Sequence, residues 1–106
     1  MHGITAFDPF GRRRPEHVNL AANRALAARL AEVGAEFHRA VGWYPEDQHP
    51  EPGFVAWGLD LDTARQVGAE FGQEAIFEID ATDVRVVHCV TDRVAGGPEI
   101  ITVSVP

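Results

Sequence analysis

The sequence contains no lysine, a single cysteine and a single serine. The lone cysteine, Cys89, excludes an internal disulfide, and because it lies in an apolar run we expect it to act as a small buried hydrophobe. The lone serine, Ser104, lacks the glycines of a nucleophile elbow, so a serine hydrolase is not predicted. The sequence also lacks the glycine-rich motifs of standard nucleotide sites.

Long apolar runs are missing as well. No segment approaches the roughly 20 apolar residues that cross a bilayer, and no signal-peptide pattern is visible, so a cytoplasmic location without membrane contact is expected. The net charge of −7 argues against broad nucleic-acid binding, because such binding relies on basic side chains that neutralise phosphates. A chain of 106 residues suffices for one core, so a single domain over residues 1–106 is predicted.

Two helices are predicted from the signals at their ends. Pro15 suits the first turn of a helix that extends to Val33, and Gly34 supplies its stop. A second helix is predicted over residues 63–71, after an N-terminal cap from Asp60 or Asp62.

Six strands are predicted from apolar or alternating runs bounded by glycine and proline. With the helices they give the order β-α-β-β-α-β-β-β. This order predicts an α+β fold, with two helices packed on one face of a mostly antiparallel sheet of five to six strands. Its first six elements also fit a ferredoxin-like sheet. The predicted strands are 3–8, 37–44, 54–59, 75–80, 84–90 and 100–105, and the predicted loops are 45–53 and 91–98.

Two amides interrupt the apolar stripe of the first predicted helix. Asn19 and Asn23 lie four residues apart, in line with Leu26, Leu30 and Val33. A buried amide without a hydrogen-bond partner costs roughly 1–3 kcal/mol. Either the fold or a ligand must therefore supply partners for both side chains.

A basic loop directly precedes this helix. Asp8 ends the first predicted strand, and three arginines follow: Arg12, Arg13 and Arg14. Because the N–H groups of a helix N-terminus attract anions, this loop predicts a site for a phosphate, a carboxylate or a nucleotide. The alternative is a solvated turn whose neighbouring amides bond to the backbone.

Other polar groups give weaker patterns. Glu78 and Asp80 lie two apart on a predicted strand and share a face, which suits a metal ligand pair or an outward polar face. His88 is expected to face Glu78 if these strands form a hairpin. Trp57 is expected mid-strand in the core. No metal site and no cofactor are predicted, since no two histidines show metal-ligand spacing.

Several short segments, taken in order, resemble one known family. They are Ile4-Thr5-Ala6-Phe7-Asp8-Pro9, the pair Asn19 and Asn23, Pro52-Gly53-Phe54 leading to Gly58-Leu59, and Phe71-Gly72-Gln73 leading to Ala75-Ile76-Phe77. Together they resemble the small bacterial family known as domain of unknown function thirty-two ninety-three. The family has no established activity, so the resemblance implies no reaction. It implies that four polar residues form one site: Asp8, Asn19, Asn23 and Gln73.

The leading hypothesis is a small binding domain for an anionic or nucleotide-like ligand. Its predicted site comprises Asp8, Arg12, Arg13, Arg14, Asn19, Asn23 and Gln73.

Two alternatives stay open. One is a protein-interaction or regulatory module, encoded by a mobile element, that uses its acidic surface and residues 43–52. The other is a metal-dependent hydrolase that uses Asp8, Glu78 or Asp80. Whether the protein is an enzyme, and whether it forms oligomers, is left open by the sequence.

Overall fold

The computed structural model describes residues 1–9, 12–43, 50–89, 94–96 and 102–104. These residues form two helices and seven strands. In chain order the elements are β1 (His2–Ile4), α1 (Glu16–Glu32), β2 (Glu36–Trp43), β3 (Pro50–Trp57), α2 (Leu61–Glu70), β4 (Ala75–Ile79), β5 (Val84–His88), β6 (Val94–Gly96) and β7 (Thr102–Ser104).

All seven strands join one antiparallel sheet in the order β6-β5-β4-β1-β3-β2-β7. The α+β class with two helices on an antiparallel sheet is thus confirmed. The three-residue strand β1 lies at the centre, between β3 and β4. The inner order β4-β1-β3-β2 is compatible with a ferredoxin-like arrangement.

Both helices form where their end signals predict them. The side chain of Asp60, rather than that of Asp62, caps α2 by accepting a hydrogen bond from the Thr63 N–H at 2.7 Å, and this bond lowers the pKa of the Asp60 carboxyl. Gly34 and Gly72 follow the two helices with φ of 81° and 72°, the left-handed conformation that ends a helix. Among the described residues no helix is long and apolar enough to cross a membrane.

The predictions of two loops were partly wrong. β3 begins at Pro50, inside the predicted loop 45–53, while residues 45–49 lie outside the described residues. Over residues 50–53, β3 pairs with β2 alone, so prolines without an N–H are tolerated as on a sheet edge. The strand β6, Val94–Gly96, lies in the predicted loop 91–98, because three residues are too few to show alternation.

The remaining strand boundaries shift by a few residues. β1 ends at Ile4 rather than at Asp8, because the chain turns away from the sheet there. Trp57 ends β3 instead of lying mid-strand, and it is 37% exposed.

The main core lies between the helices and one face of the sheet. It is built from apolar side chains of both helices and of the inner strands. Its most deeply buried large side chains include Leu26, Leu30, Val67 and Ile76. A smaller cluster of Ala40, Val55 and Ile79 lies on the other face.

Gly68 allows α2 to approach the sheet closely. A Cβ at this position would lie 2.6 Å from Ile76 Cγ2 and 2.8 Å from Cys89 Sγ, distances that real Cβ atoms essentially never show. The helix can therefore cover β4 only because this residue has no side chain.

We expect Gly68→Ala to destabilise the domain by about 1–3 kcal/mol, because the added methyl group overpacks the core. Helix propensity alone predicts the opposite, a gain of about 1 kcal/mol. Urea denaturation measures the difference. The control is Gln66→Ala on the exposed side of α2, and a Gly68→Ala protein more stable than the wild type would contradict the close contact.

Candidate functional site

The chain leaves the sheet after Ile4 and crosses to the start of α1. At Asp8 the backbone has φ of 44°, a left-handed conformation that few residues other than glycine adopt. The N–H groups of this segment have no neighbouring strand, so they need other partners. Buried side chains of α1 supply them for Ala6 and Asp8.

Asn23 joins this segment to β3. Its Oδ1 accepts a hydrogen bond from the Ala6 N–H at 2.9 Å, and its Nδ2 donates to the Pro52 carbonyl at 2.8 Å. The residue is 7% exposed. Both ends of the amide are thus satisfied within the protein.

Asn19 makes the next contacts toward the loop. Its Oδ1 accepts from the Asp8 N–H at 2.9 Å and from Arg14 Nε, and its Nδ2 donates to Asp8 Oδ1 at 2.8 Å. The residue is 3% exposed. Asn19 therefore positions Asp8 and Arg14 together.

Asp8 and Arg14 complete the arrangement. Asp8 Oδ1 accepts from the backbone N–H of Arg14 at 3.0 Å, and Arg14 Nη2 donates to the Ala6 carbonyl at 2.6 Å. We call Asp8, Arg14, Asn19 and Asn23 the amide network. It joins Ala6 and Asp8 to Arg14, just before α1.

Gln73 lies next to the amide network through the backbone of Phe7. Its Nε2 donates to the Phe7 carbonyl at 3.0 Å. The residue follows the C-terminus of α2, where its own N–H bonds to the Gly68 carbonyl at 3.0 Å. Of the seven predicted site residues, five are thus brought together.

Arg12 and Arg13 do not join the amide network. Both are exposed, and their side chains make no hydrogen bond or ion pair with another described residue. They lie directly before α1, whose N-cap is Pro15 with no side-chain cap. Glu16 places one acidic group in the first turn.

Thr5 and Pro52 form hydrogen bonds beside the amide network that the sequence did not predict. Thr5 Oγ1 donates to the Pro52 carbonyl at 2.7 Å and accepts from the Phe7 N–H at 3.1 Å. The spacing of Thr5 and Phe7, two residues apart, is a turn signal that was available. No sequence pattern predicts that the Pro52 carbonyl accepts these hydrogen bonds, because its position depends on the register of β3.

A hollow lies in the sheet where β1 ends, and no residue of the amide network lines it. Its lining includes Gly3, Ala40 and Gly42 from the sheet, together with Thr5 and Gln73. The space exists because β1 stops at Ile4 while its neighbour β3 extends further. None of the three loop arginines is among its lining residues, so the hollow and the basic loop are separate features.

The carboxylates of the alternative site have other partners. Glu78 forms an ion pair with Arg85, which lies opposite it in the hairpin of β4 and β5. The expectation that His88 faces Glu78 was wrong, since His88 pairs with Ala75. Asp80 accepts from the N–H groups of the following turn, and these bonds lower its pKa. No group of three or more metal-ligating side chains is found in the described part of the chain.

The fold and the amide network define a small α+β domain in which buried helix amides organise the first loop. This chain belongs to the family DUF3293, described as a protein of unknown function, whose model matches residues 4–76. The matched range contains the whole amide network and Gln73. No curated protein and no solved structure matches the chain.

We expect Asn23→Ala to destabilise the domain by about 1–3 kcal/mol, because it leaves the buried Ala6 N–H without its partner. Urea denaturation of the two proteins gives the difference. The matched control is Arg24→Ala, the exposed neighbour on α1, which should change the free energy of unfolding by less than about 0.5 kcal/mol. Equal stability of the two variants would show that the Asn23 bonds contribute little.

Proposed function

We propose that this protein is a cytoplasmic bacterial domain that binds a small anionic or nucleotide-like ligand at the loop between β1 and α1. The observation that carries the proposal is the pair of exposed arginines, Arg12 and Arg13, directly before an uncapped helix N-terminus. A phosphate or carboxylate group is the chemistry that such a place attracts.

The start of α1 offers N–H donors. The N–H groups of Glu16 and His17 donate to no acceptor among the described residues. The helix dipole adds the equivalent of roughly half a positive charge at this end. An anion placed there would accept hydrogen bonds from the backbone and pair with guanidinium groups.

Local charge also supports the proposal. The protein has a net charge of −7, so its overall field repels anions. Consecutive arginines at positions 12–14 make a positive patch against that background. Glu16, in the first turn of α1, partly offsets this positive patch.

The amide network supplies a rigid frame for the loop in this proposal. The Asn19 and Asn23 amides already have partners, and the Arg14 guanidinium bonds to Ala6 and Asn19. Direct ligand contacts are therefore assigned to Arg12 and Arg13 and to the helix N–H groups. Asp8, Arg14, Asn19, Asn23 and Gln73 hold the loop in the binding conformation.

The two alternative functions stay predictions. Most of the aromatic and proline-rich stretch proposed for protein binding lies outside the described residues. For the metal-dependent hydrolase, Asp8 follows the C-terminal end of β1, whereas Glu78 pairs with His2 at the other end of that strand. Neither alternative is favoured by a specific contact.

We expect inorganic phosphate or a nucleotide at millimolar concentration to raise the melting temperature of the wild-type protein. A ligand at 100 times its Kd adds about 2.7 kcal/mol to the free energy of unfolding. The double variant Arg12→Gln/Arg13→Gln should lose this response, because it removes the guanidinium groups that face the anion. Thermal denaturation with each compound is the measurement.

The matched control is Arg24→Gln/Arg39→Gln, which removes the same charge from two other exposed positions. This control should respond to the ligand like the wild type. If no phosphate compound stabilises the wild type, or if both double variants lose the response equally, the site at the first loop is rejected.

A further inference from the structure

His2 is a buried polar residue at the centre of the sheet. It lies in β1, opposite Ala56 of β3 on one side and Glu78 of β4 on the other. The residue is 6% exposed, and neither ring nitrogen has a hydrogen-bond partner. An unpaired buried N–H or lone pair is destabilising, so this position is a weak point of the sheet centre.

Several charged groups surround the ring. Glu78 Oε2 lies 3.7 Å from His2 Nε2, which is too far for a hydrogen bond, and Glu78 is shared with Arg85 of β5. Asp60, the N-cap of α2, adds a weaker attraction, and the Met1 ammonium group adds a repulsion. The nearest carboxylate therefore only partly compensates a positive charge on His2.

Burial lowers the pKa of His2 below its ordinary value, and the Met1 ammonium lowers it further against the opposing effect of Glu78. The folded domain thus holds a neutral ring, whereas the unfolded chain takes up a proton near pH 6.5. Because the unfolded state binds more protons below that pH, the stability falls as the pH drops from 6.5 to the folded pKa. Below the folded pKa the loss is complete.

We propose that His2 is a proton-sensitive latch on the central strand. A proton taken up by its buried ring weakens the pairing of β1 with β3 and β4, so mild acid opens the centre of the sheet. The opening reaches the first loop, because only Thr5 separates Ile4 of β1 from Ala6, whose N–H and carbonyl bond to the amide network. This proposal does not rest on the proposed ligand binding at that loop.

The first test follows the ring itself and the neighbouring amides by NMR. The His2 ring of the wild-type protein should titrate below pH 6.5. The hydrogen-exchange protection factors of the Gly3 and Ile4 amides, which correct for the intrinsic exchange rate, should fall as the pH drops through the titration range. Uptake of one proton limits this fall to about tenfold per pH unit. A His2 ring that titrates at or above pH 6.5, or β1 protection that does not change, would overturn the latch.

Variants separate the latch from general acid unfolding. His2→Phe should remove the acid-dependent loss of β1 protection, and His2→Leu serves the same purpose if the larger ring disturbs packing. Glu78→Gln should move the His2 titration to lower pH, because it removes the attraction that favours the charged ring. Acid sensitivity unchanged in both His2 variants, or a titration moved upward by Glu78→Gln, would contradict the proposal.

Discussion

The bridge that Asn23 makes between the Ala6 N–H and the Pro52 carbonyl is the interaction on which the first loop depends. β1 has three residues, so the chain beyond Ile4 leaves the sheet with backbone groups that no strand can pair. A buried backbone N–H must be bonded, and the amides of α1 take the place of the missing strand. Asn19 repeats this arrangement one helical turn earlier, at Asp8.

Because their hydrogen bonds are made within the protein, Asn19 and Asn23 are structural residues in this fold. Asn19 and Asn23 stand where apolar residues of α1 would otherwise face the sheet, yet both are bonded within the protein. The proposed ligand contacts are therefore assigned to the exposed part of the same loop, Arg12 and Arg13. A frame that is already bonded keeps the loop ordered before a ligand arrives, which reduces the entropic cost of binding.

The sequence predicts the helices and the fold class, because caps, glycine stops and 3.6-residue spacing are local signals. It leaves open whether a ligand or the backbone supplies partners for Asn19 and Asn23. It does not predict that β3 begins at Pro50, since proline is tolerated there only because β1 ends early. The contacts of Thr5 and the burial of His2 were likewise missed. Both depend on which strands become neighbours, and strand order is not a local property of the chain.

Amide hydrogen exchange at Ala6 and Asp8 tests the central claim most directly. Both N–H groups belong to a loop, yet each donates to the oxygen of a buried asparagine side chain. We predict that they exchange as slowly as the paired amides of β3, through opening of the whole domain. Exchange as fast as that of the exposed Arg13 amide would contradict the claim that these two asparagines hold the first loop in place.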